Sequence, residues 1–74
     1  QRYRAEEAQA VLAITEARKA AEGAPNNVAM WAEYGQTALM VGDYHSAEIA
    51  YTRAVVLSGG EPHLILQLVK TQVF

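Results

Sequence analysis

Cysteine is absent from this 74-residue chain, which excludes disulfides and thiolate metal sites and is compatible with every compartment. Long apolar runs are absent too. Apolar runs such as Ala54–Leu57 and Leu64–Leu66 fall far short of a membrane span, so no membrane insertion is expected in this segment. Neither sign of charge dominates. Six basic residues stand against eight acidic ones, net −2, which argues against a nucleic-acid surface and against a polybasic membrane contact. A glycine-rich phosphate loop is absent, and Gly59-Gly60 reads as a helix break rather than part of such a cradle. The only histidines, His45 and His63, have no Asp, Glu or Ser at the spacing of a triad or a metal pair. No enzyme, cofactor or metal is expected. A signal-peptide pattern is also missing, and the chain opens at Gln1 without methionine, so it reads as cut from something longer.

What is abundant is alanine. Hydrophobic residues make up 51% of the chain, but fourteen of the 74 residues are alanine, so the interior must be close-packed rather than bulky. Gly, Pro, Asn and Asp divide the chain into four helical segments. The first, roughly residues 2–22, consists mostly of strong helix formers and stops at Gly23-Ala24-Pro25-Asn26-Asn27. Asn27 caps a second helix to about Val41, and Gly42-Asp43 breaks it. Asp43 then suits the N-cap of a third helix, Tyr44 to about Leu57. Ser58-Gly59-Gly60-Glu61 is the next break, and Pro62 fits the first turn of a fourth helix reaching the last residue. The expected class is all-α, with four antiparallel helices.

A shift of the sequence by 34 residues lays it on itself. Ala13 and Ala20 fall on Ala47 and Ala54, and Trp31 and Tyr34 fall on Ile65 and Leu68. The helix pair carries Trp31-x-x-Tyr34-Gly35 in its first helix, a Gly42-Asp43-Tyr44 turn, and Ala47-x-x-x-Tyr51-x-x-Ala54 in its second. It resembles the tetratricopeptide repeat. The resemblance implies an α-solenoid fragment in one domain, 1–74. Residues 1–24 would be the last helix of a preceding repeat or a capping helix, 28–61 a full repeat, and 62–74 the first helix of the next, cut short. The chain departs from the family pattern at Ala38, where a tyrosine is usual, and at Gly59, where a proline closes the repeat.

Tyr44 and Tyr51 are seven residues apart, as are Ala47 and Ala54, so each pair lies on one helix face. Gly35, Ala47 and Ala54 are expected where two helices approach, with Trp31, Tyr44 and Tyr51 filling the wedges. Buried positions should be Trp31, Tyr34, Leu39 or Val41, Ala47, Tyr51 and Ala54. His45 should be a solvated first-turn residue. Ile65, Leu68 and Val69 should be covered on one side only, which leaves further chain or a second copy, by self-association through the last helix, to cover the other.

The resemblance implies recognition of a partner peptide or tail on the concave face made by the first helices of successive repeats. The stripe opposite Trp31 is Ala29, Ala32, Glu33, Gln36 and Met40; its counterpart in the fourth helix is His63, Leu66, Gln67, Lys70 and Phe74. The candidate peptide-binding residues are therefore Glu33, Gln36, Met40, His63, Gln67 and Lys70. The Leu57-x-Gly59 closure, followed by Leu64-x-x-x-Leu68, is similar to the periplasmic tetratricopeptide subunits of bacterial cytochrome c maturation and nitrite-reductase haem-lyase systems. That similarity implies a periplasmic chaperone of apocytochrome c. The alternative is a scaffold or assembly factor of another complex, which would place the chain in the cytoplasm.

Overall fold

The computed structural model describes residues 5–72, and within them four helices follow one another: α1 (Ala5–Gly23), α2 (Val28–Val41), α3 (Tyr44–Ser58) and α4 (Pro62–Thr71). The all-α class and the order of the helices are as expected from the sequence. Helix α3 runs one residue further than expected. Helix α4 does not reach the chain end: it closes at Thr71, and the Gln72 N–H bonds back to the Val69 carbonyl. The expected start of the first helix before Ala5 and the contact of Phe74 lie outside the described residues.

Each helix end is set by local chemistry. The Asn27 side chain accepts from the Met30 N–H at 3.2 Å. Asp43 accepts from the Ser46 N–H at 3.1 Å and from the Ser46 hydroxyl at 2.8 Å. Glu61 accepts from the Leu64 N–H at 3.1 Å, with Pro62 in the first turn. Such caps satisfy N–H groups that have no partner inside the helix. At the other ends, Gly42 (φ 83°) and Gly59 (φ 76°) take the left-handed conformation. The next N–H then reaches back five residues, from Asp43 to the Ala38 carbonyl and from Gly60 to Val55, 2.9 Å in each case. This is the glycine-closed C-cap, where a Cβ would be strained.

The short connections fold each helix back on its predecessor. α2 packs most extensively on α3, α1 lies on α2, and α4 lies on α3. The Cα extents are 45 × 30 × 14 Å. The smallest fits two helix layers, since two Cα cylinders about 4.6 Å wide at about 9 Å separation span about 14 Å.

The core is thin and rich in alanine. Ala21, Ala38, Ala47, Ala50 and Ala54 are fully buried around Trp31, Tyr34, Tyr51 and Leu64. The tightest point is Gly35, where a Cβ would stand 2.7 Å from two carbons of the Tyr51 ring. The closeness of α2 and α3 anticipated from these small residues is thus present. Trp31 is fixed from two sides: its indole N–H donates to the Pro25 carbonyl at 2.9 Å, and the Arg53 guanidinium lies 5.2 Å from its ring centroid.

Two core expectations need correction. Tyr44 is 56% exposed and fills no wedge. It is the first residue of α3, placed just after the chain has left α2 at Gly42-Asp43. Val41 is 37% exposed at the last position of α2, while Leu39 is half-buried against the core. On α4, Leu68 packs against the core whereas Ile65 and Val69 remain exposed, the one-sided cover expected. His45 is exposed, also as expected.

Candidate functional site: an open groove between α2 and α4

A groove of about 580 Å³ runs between α2 and α4, with Tyr51 of α3 at its floor. From α2 come Ala29, Ala32, Glu33 and Gln36. They sit at i, i+3, i+4 and i+7, so one helix face carries all four. Met30 adds a half-buried thioether beside them. His63, Leu64 and Gln67 line the α4 side, His63 and Gln67 being one turn apart on the same face. The two alanines are short enough to leave the space open. Glu33, Gln36 and His63 are exposed along it, and Gln67 is half-buried.

Tyr51 serves both the core and the groove. Its ring carbons press on Gly35, and the residue is 3% exposed. Burial pushes the phenol above its ordinary range, and no hydrogen bond offsets that effect. Among the described residues no sealed side-chain nitrogen or oxygen lacks a partner. The unpaired hydroxyl therefore reaches solvent, and the groove is the opening that Tyr51 lines.

Of the six candidate residues, Glu33, Gln36, His63 and Gln67 are brought together in the groove. Met40 and Lys70 are not among its lining. Met40 is 78% exposed and lies one turn beyond Gln36. Lys70 is exposed one turn beyond Gln67. The groove occupies the N-terminal parts of both helices, so residues on the correct stripe but too far along it miss it. Leu66, on the expected α4 stripe, also points away and is largely exposed. Met30, Leu64 and Tyr51 line the groove although the sequence marked no binding role for them. Tyr51 read as a core residue, and both it and Leu64 are buried; the floor of the groove is the edge of the core.

A second, shallower hollow lies on the outer face of α3, lined by Glu48, Ile49, Thr52, Arg53 and Val56. Among the described residues no group of His, Asp and Glu is placed to hold a metal ion. No described helix is long and apolar enough to cross a membrane. No family model, curated protein or solved structure matches the chain.

Proposed function

We propose that the chain is a non-enzymatic, tetratricopeptide-type helical-repeat unit that binds an extended segment of a partner protein in the groove between α2 and α4. The observation that supports this best is the make-up of the groove. It is open and floored by apolar groups, and it carries amides on both walls at Gln36 and Gln67. Primary amides donate to and accept from peptide groups, so facing glutamines can engage an extended backbone largely regardless of its side chains. Ala29, Ala32, Met30 and Leu64 offer apolar area for one or two ligand side chains, the usual source of affinity in such a cleft. The repeat spacing that puts Trp31 on Ile65 and Tyr34 on Leu68 supports the solenoid assignment, because it makes α4 the counterpart of α2. Within this proposal, the C-terminal tail of an apocytochrome c is the partner class implied by the subfamily similarity, and a tail from an unrelated complex is its competitor.

Fluorescence anisotropy with labelled tails of both kinds provides the test. Binding should weaken with Gln36→Ala and with Gln67→Ala while both variants keep the wild-type melting temperature, since neither side chain belongs to the core. Preference for the apocytochrome tails would favour the maturation role, and indifference between the two sets would favour the general scaffold. Full affinity in the Gln36→Ala/Gln67→Ala double variant would refute the groove.

A further inference from the structure

The groove's own charge narrows what it can accept. Glu33 is the one permanently charged residue lining it. The nearest cation by sequence on either wall, Lys70, stands beyond the lining at the far end of α4. The chain as a whole carries −2, so its field has the same sign as the groove. A terminal carboxylate or an acidic side chain would meet Glu33 with no fixed cation in the lining to balance it. We propose that the groove selects peptides carrying a lysine or arginine, with the cation against Glu33 and the peptide backbone over Gln36, Gln67 and the Tyr51 hydroxyl.

Tyr51 adds a residue with a polar tip to the lining. Its phenol is almost wholly buried, has no hydrogen bond to offset desolvation, and lines the floor of the groove. A peptide carbonyl or N–H lying along the floor is within the chemistry of a hydroxyl, which both donates and accepts. From Ala29 to Gln36 the lined face is about 10 Å long, at about 1.5 Å per residue. That is about three residues of extended chain, enough for one cationic and one aliphatic side chain on alternate sides of the strand.

The inference rests on the groove reading and is tested so that the two can fail separately. Three short peptides, acetylated and amidated to remove terminal charge, differ only in a central lysine, glutamine or glutamate flanked by leucine and alanine. They are titrated by calorimetry at low salt and at a pH where histidine is neutral. The expected order is lysine tightest and glutamate weakest, with lysine about two- to five-fold tighter than glutamine, the range for one solvent-exposed ion pair. High salt should compress the order. Glu33→Gln should remove the lysine preference, so that the lysine and glutamine peptides bind this variant alike. Tyr51→Phe, which keeps the ring against Gly35, should weaken all three peptides alike and preserve their order. If the three bind equally well, or the glutamate peptide binds best, the charge assignment is overturned and the groove stands. Should none bind, the groove falls and the assignment falls with it.

Discussion

Replacing Gly35 by alanine sets two opposing effects against each other at one site. In an exposed helix interior, glycine to alanine gains about 0.8–1.0 kcal/mol through the restricted backbone. At Gly35 the new methyl carbon would stand 2.7, 2.7 and 2.9 Å from Tyr51 Cδ2, Cε2 and Cζ. Carbon atoms rest at about 3.5–4.0 Å, so the ring must retreat by close to 1 Å. It has little room to do so: Tyr51 is 3% exposed and packed among Ala38, Ala47, Ala50 and Ala54. The displacement therefore passes to the α2–α3 spacing, and overpacking of this kind costs about 1–3 kcal/mol. The packing effect wins, and Gly35→Ala should destabilise by about 1 kcal/mol net, or about 4–8 °C in melting temperature for a domain of this size. Urea unfolding followed by circular dichroism and by the fluorescence of Trp31 measures it. A Tyr51→Leu background removes the ring, and there the alanine should become neutral or stabilising. Gly23→Ala is the control of opposite sign. Gly23 is in the last turn of α1 with nothing within 4 Å of its added Cβ, so the substitution should stabilise by up to about 1 kcal/mol. Stabilisation by Gly35→Ala in the wild-type background would refute the close approach of α2 and α3.

Trp31→Ala should cost about 3–5 kcal/mol of the total of about 4–11 kcal/mol expected for a chain of this length, and a melt should show the midpoint lowered by at least about 12 °C. Removing the cation over the indole by Arg53→Ala should cost only about 0.5–1 kcal/mol, measured by the shift of the urea midpoint. Asp43→Ala should lose about 1 kcal/mol as an N-cap. The Ser46 hydroxyl and N–H hold the Asp43 carboxyl below its ordinary range. Its contribution is therefore fully present above the unfolded value near 4 and is lost as pH falls through the lower folded value. The gap between wild type and Asp43→Asn, which retains a capping oxygen without the charge, should narrow over that acid window and stay constant at neutral pH.

The helix boundaries were legible because each break carries its own chemistry: Asn27, Asp43 and Pro62 at the starts, Gly42 and Gly59 at the ends. The core was legible where spacing alone decides the face, as for Trp31, Tyr34, Ala47, Tyr51 and Ala54. Spacing says which face a residue occupies but not how far along the axis a neighbouring helix extends. That is why Tyr44 shares a stripe with Tyr51 and yet stands in solvent, and why Met40 and Lys70 share stripes with groove residues without lining the groove. The floor was hidden for a different reason. A tyrosine at a core spacing gives no sign that it also lines a groove, and only the packing of α3 between α2 and α4 reveals it. The cation–π contact of Arg53 with Trp31 joins residues 22 positions apart and likewise depends on how α2 and α3 are opposed.

The central claim, that the binding face is the cleft between α2 and α4, is tested most directly by mapping amide chemical-shift changes during titration with a lysine-containing extended peptide. The groove account predicts changes concentrated at Ala29, Glu33, Gln36, His63 and Gln67, together with the side-chain amides of the two glutamines. Changes confined to Ile49, Thr52 and Val56 on the outer face of α3 would contradict it.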